Sequence, residues 1–131
     1  SMKRAAAAAL LLLAVVACGG APSERTIAVR MHYSKYQPGA LTVRAGQTVE
    51  FVLVNADPIA HEFIIGTHAQ QLEHEKGDPH DPHNRPGEAT IDGSKTTRVR
   101  YTFQKAGTFE YACHRPGHYT YGMVGTVRVT T

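Results

Sequence analysis

The chain has 131 residues, 42% of them hydrophobic and 19% charged, with a formal charge of +3. That length supports one domain with a single core but not two, and the composition is that of an ordinary folded soluble protein. So small a charge, with no basic run interleaved with aromatics, makes nucleic acid an unexpected partner.

The N-terminus reads as an export signal. Lys3-Arg4 precede an apolar run, Ala5 to Val16, that is too short to span a bilayer comfortably. It ends in Val15-Val16-Ala17-Cys18-Gly19, which resembles a bacterial lipobox, so Cys18 is the expected site of lipidation and membrane anchoring. Plain cleavage after a small residue is the alternative. The expected organisation is a signal peptide over 1–17, a flexible tether over 18–25 containing Gly19-Gly20-Ala21-Pro22-Ser23, and one domain over 26–131. Without Lys3 and Arg4 the count is 12 basic against 11 acidic residues, a formal charge of +1.

From Thr26 the pattern has period two. Ile27, Val29, Met31 and Tyr33 alternate with Thr26, Ala28, Arg30 and His32, as in a half-buried strand. Leu41 to Arg44 predicts a second strand, and Ala45-Gly46-Gln47 turns into Thr48 to Val54, where Val49, Phe51 and Leu53 share a face. His61 to Ile65 predicts another strand. The interval from Gly66 to Gly87 breaks the pattern: Thr67 to Glu75 is compatible with a short helix, and Gly77 to Gly87, with three prolines, predicts loop. Ala89 to Ile91 is a weaker strand candidate before the turn Asp92-Gly93-Ser94. Val99, Tyr101 and Phe103 alternate next, Lys105-Ala106-Gly107 turns the chain, and Phe109, Tyr111 and Cys113 share a face. Finally Met123, Gly125, Val127 and Val129 keep one parity. Seven to eight short strands separated by turns predict an all-β fold, a Greek-key β-sandwich with one long His-rich loop. By parity Cys113, His61 and Met123 all face inward, toward one end of the core.

Those three residues carry chemistry. Cys113, His118 and Met123 lie at even steps on one stretch, with Pro116, Gly117 and Gly122 folding the connection, and His61 supplies a second imidazole after a turn containing Pro58. A thiolate with two imidazoles suits zinc or copper; a weak axial thioether added to them is the blue-copper donor set. A His2Cys zinc site with Met123 as packing is the alternative. Cysteine arithmetic agrees, because with Cys18 lipidated Cys113 is a lone thiol in an exported protein; a Cys18–Cys113 disulfide is the competing reading.

Here the chain resembles the cupredoxins, small type 1 copper proteins. The likeness rests on Tyr36-Gln37-Pro38 ahead of Leu41-Thr42-Val43, on Gly46-Gln47-Thr48-Val49, on Asn55 ahead of His61, and on the Cys113, His118, Met123 loop, whose spacing is like that of auracyanins and rusticyanins. The resemblance implies one type 1 copper bound by His61, Cys113, His118 and Met123, with Asn55 in the surrounding hydrogen-bond shell. It also implies that electrons pass at the exposed edge of His118, where Pro58, Ile59, Ala60, Pro116, Gly117 and Tyr119 form an apolar rim for a redox partner.

Several residues stand outside that pattern. Family members commonly carry Asn or Ser after the first ligand; here it is Glu62, which parity directs away from the metal, so a solvated surface carboxylate is expected and the bond that pins the ligand loops is in question. His114 echoes the last motif of multicopper oxidases, but no His-x-His pairs occur to build a trinuclear cluster, so His114 is expected at the surface. The loop histidines His68, His74, His80 and His83 are candidates for an auxiliary copper or zinc site, as in some bacterial copper-resistance cupredoxins; a solvated loop is the alternative. The expected function is extracytoplasmic, non-enzymatic electron transfer by a lipid-anchored monomer, and the alternative is copper handling by the same site plus the histidine loop. A nitrite reductase would need a second domain.

Overall fold

The computed structural model describes residues 23–77 and 84–131; Cys18, the leader, most of the tether, His80 and His83 lie outside them. In chain order the described elements are β1 (Arg25–His32), β2 (Lys35–Gln37), β3 (Ala40–Arg44), β4 (Thr48–Asn55), β5 (His61–Gly66), α1 (His68–Glu75), β6 (Glu88–Ile91), β7 (Thr96–Thr102), β8 (Gly107–Ala112) and β9 (Val124–Thr130). One sheet has the order β2-β1-β4-β7 and the other β3-β9-β8-β5-β6. Both are mixed, since β1 runs parallel to β4 and β3 parallel to β9 while the other pairs are antiparallel. The result is the expected Greek-key sandwich, with nine strands where turn counting gave seven to eight.

The alternating residues form the core. Val49, Phe51 and Leu53 are fully buried on β4, and Met123, Gly125, Val127 and Val129 are buried along the last strand and its approach. Between the sheets Phe63 stacks on Tyr111 with ring centroids 5.3 Å apart, Phe51 lies 5.1 Å from Phe63, and Tyr36 meets Tyr111 edge-on at 5.1 Å. Aromatic pairs at these separations add roughly 0.5–1.5 kcal/mol each beyond the area they bury. Tyr111 fits only because residue 125 is glycine: a Cβ there would sit 2.1 Å from the ring.

Three expectations are corrected. Tyr33 is not on the buried face of β1. It adopts a φ of 52° and is 81% exposed, because Tyr33-Ser34 is the turn into β2. The second change is β2 itself, too short for a periodicity signal with only Tyr36 buried; after it Pro38-Gly39 carries the chain from the first sheet to β3 in the second. Third, β5 is buried on both faces. Helix α1 lies against β5 and β8, so Glu62 and Ile64 are covered where alternation assigned their face to water.

The helix forms where Thr67 can cap it. Its side chain accepts from the Gln70 amide and the Gln70 side chain accepts from the Thr67 amide, a reciprocal box worth roughly 1 kcal/mol. Its hold on the sheet is polar. Gln71 is fully buried and donates to the carbonyls of Ile64 at 2.8 Å and Glu110 at 3.2 Å, while Leu72 remains 42% exposed.

Candidate metal centre

One end of the sandwich gathers the ligand candidates. The metal-binding atoms of His61, Cys113 and His118 all lie within 4.8 Å of one another, and this is the one such group among the described residues. His61 and Cys113 are fully buried and His118 is half-buried, its ring 5.1 Å from that of His61.

His61 opens β5 after the loop Ala56-Asp57-Pro58-Ile59-Ala60. Asn55 ties that loop, donating to the carbonyls of Ile59 at 2.8 Å, Ile91 at 3.0 Å and Asp92 at 3.1 Å and accepting from the Asp57 amide at 3.0 Å. The turn before β7 closes onto it: a Cβ on Gly93 would lie 2.2 Å from the Pro58 carbonyl oxygen. Nε2 of His61 meets the Asp57 carboxylate at 2.7 Å, while Nδ1 is buried without any hydrogen-bond partner. A buried ring nitrogen left bare is costly unless something else takes its lone pair.

Cys113 follows β8, and its loop is built from successive turns. His118 N donates to Arg115 O at 2.9 Å, Tyr121 N to Gly117 O at 3.0 Å, and Gly122 N to Tyr119 O at 2.9 Å, with Gly117 and Gly122 at φ of 83° and 90°. Those positive angles favour glycine. The loop then returns to its start: Met123 N donates to His118 O at 2.9 Å and Cys113 N to Met123 O at 3.2 Å. The Met123 backbone is thereby paired with that of Cys113, and the residue is fully buried.

The thiol lies 3.3 Å from His118 Nδ1 and accepts the Glu62 amide, also at 3.3 Å. Burial pushes its pKa up to about 11, partly offset by the amides of Glu62 and Arg115. Burial also pulls the His118 pKa below its ordinary value, helped by neighbouring His61 and Arg115, which favours the neutral ring that a metal requires. Two imidazoles and a sulfur converging at one end of the sandwich fit copper.

Glu62 differs from expectation. It is 7% exposed, and its Oε2 accepts the His114 amide at 3.0 Å, so the carboxylate itself ties β5 to the cysteine loop. His114 is not a surface residue either: its side chain is 4% exposed, with Nδ1 2.6 Å from Glu75 and Nε2 2.7 Å from the Gln71 amide oxygen. It is absent from the ligand group. Of the loop histidines, His68 pairs with Glu110 at 3.1 Å and His74 with Glu88 at 3.2 Å. Sequence reasoning missed Asp57. The available signal was a carboxylate four residues before a ligand histidine, inside the loop that Asn55 organises.

A β-sandwich with a buried His-Cys-His group at one end defines a cupredoxin-type copper protein. The comparisons agree, since the family model of copper binding proteins, plastocyanin/azurin family, matches residues 24–130. The chain belongs to that family. It is 39% identical over 116 residues to the copper-resistant cuproprotein CopI of Rubrivivax gelatinosus, covering 83% of this chain and 68% of that one. The CopI of Pseudomonas aeruginosa is 31% identical over 141 residues, covering 83% and 78%. Among solved structures, auracyanin A of Chloroflexus aurantiacus superposes with a TM-score of 0.68 at 28% identity, covering 82% of this chain and all of that one. The reduced auracyanin of Roseiflexus castenholzii gives 0.70 at 22% identity, covering 81% and 97%.

Proposed function

We propose that the protein holds one type 1 copper at His61, Cys113, His118 and Met123 and passes single electrons outside the cytoplasm, anchored through Cys18. The carrying observation is the bare, buried Nδ1 of His61 beside the Cys113 sulfur and His118. Bound copper would supply the one-electron couple; the chain supplies the geometry. Thiolate and thioether suit Cu(I) and imidazoles serve both states. The Cys113–Met123 and His114–Glu62 bonds keep the donors in place through the change. Half-buried His118 would be the port where a partner docks, and the exposure of Pro58, Ile59 and Pro116 is compatible with an apolar rim there.

The test is one equivalent of Cu(II) added to metal-free protein. An intense visible thiolate-to-copper band and a reversible one-electron couple are expected; binding without either overturns the reading. Labelling of Cys18 with a radioactive fatty acid in a bacterial host tests the anchor.

Copper handling is the second reading, favoured by relatives named as copper-resistant cuproproteins. It uses the same site with His68, His74, His80 and His83 as an auxiliary copper or zinc site. One equivalent of copper bound both with and without those four histidines would count against it.

A further inference from the structure

Asp57 sits behind His61, and its carboxylate is unusually well provided with donors. Oδ1 accepts the Tyr33 amide at 2.8 Å, and Oδ2 accepts the Ser34 amide at 2.9 Å and faces His61 Nε2 at 2.7 Å; His32 Nδ1 stands 3.5 Å from Oδ1. Its own amide is tied to Asn55 and its carbonyl to Ser94. Both amides come from the β1–β2 turn, where Tyr33 and Ser34 hold φ near 52°, so the turn is folded around this side chain. Each carboxylate oxygen thus accepts a backbone amide, an arrangement that suits the ionised group.

A carboxylate accepts and cannot donate, so the short contact requires the proton on Nε2 of His61. The lone pair then belongs to Nδ1, the buried atom without a partner, on the ring that is grouped with Cys113 and His118. A histidine that donates its far nitrogen to a carboxylate is oriented, fixed in one tautomer and made a more basic ligand. Fixed negative charge behind the ring also favours the ion of higher charge.

We propose that Asp57 is a positioning residue that fixes the His61 tautomer and biases the centre toward Cu(II). This rests on the copper site proposed above, but its first half concerns the metal-free chain. Nitrogen-15 NMR of metal-free protein should show His61 protonated at Nε2 and bare at Nδ1, with tautomers mixed in Asp57→Ala. On loading, Asp57→Ala should lose roughly ten- to a hundredfold in Cu(II) affinity. Asp57→Asn should keep the visible band while shifting the Cu(I)-to-Cu(II) affinity ratio toward Cu(I) by about tenfold, a rise of about 59 mV for one electron. Asp57→Glu, which keeps the charge, should lie closer to wild type. Circular dichroism of each metal-free variant establishes that it is folded. An Nδ1-protonated His61 in wild type overturns the proposal, as does an unchanged potential in folded Asp57→Asn. Should wild type form no coloured copper site, the functional reading fails while the tautomer measurement still decides the role of Asp57.

Discussion

Metal-free protein should lose stability above pH 9 through Cys113 by an amount that can be isolated. Burial lifts this thiol from 9.0 to about 11, so the folded chain keeps a proton that the unfolded chain has already released. A raised acid contributes stability that is complete below the unfolded pKa and is lost as pH climbs through the folded one. The full effect is about 2.7 kcal/mol, and about 1.4 kcal/mol of it is gone at pH 10. Burial also raises Tyr36, Tyr111 and Tyr119, and these drain stability in the same direction. Cys113→Ala retains all three tyrosines, so comparison cancels their share. Urea unfolding of both proteins from pH 7 to 10 should show the wild-type advantage shrinking by about 1.4 kcal/mol. Parallel profiles would refute the argument, because they would mean that the thiol ionises as readily inside the fold as outside it.

Cys113→Ser should abolish the visible band of the copper-loaded protein; colour surviving in this variant would remove Cys113 from the ligand set. Met123→Gln should keep a coloured centre but lower its potential by cyclic voltammetry, since a harder axial donor favours Cu(II). Glu62→Ala removes the acceptor of the part-buried His114 amide, at a cost of about 1 kcal/mol in denaturant unfolding, and should broaden the copper signals in electron paramagnetic resonance. Gly93→Ala forces a methyl against the Pro58 carbonyl, so it should cost roughly 1–3 kcal/mol and weaken copper binding through the loop before His61.

The parts of this molecule legible in the sequence are those governed by periodicity and spacing. Alternation in β4 and β9 correctly gave the buried faces, and parity turned His61, Cys113 and Met123 inward, whereas in β8 Ala112 on the opposite face is buried along with Tyr111. Asn55 was singled out through family likeness alone; the structure shows its side chain tying the loop before His61 through four hydrogen bonds. His114 was put at the surface by a motif argument that carries no packing information, and Glu62 by parity alone. Alternation says which side of a strand a residue faces but not what covers that side, and here α1 covers it. Asp57 was missed because its meaning depends on the Tyr33-Ser34 turn, more than twenty residues earlier, which carries no hydrophobic period.

The arrangement around His114 has a consequence for how the chain can vary. Helix α1 reaches the cysteine loop through His114, gripped between Gln71 and Glu75, and through His68 beside the Tyr119 hydroxyl, and it reaches the sheet through Gln71, His68 and His74. On the return to β6 the chain is fixed at Gly87, whose φ is 83°, whose carbonyl accepts the Ile65 amide and where a Cβ would lie 2.7 Å from the Tyr101 ring. The helix works as a buttress between sheet and loop, so a substitution at Gln71 or Glu75 is felt in the segment that carries Cys113.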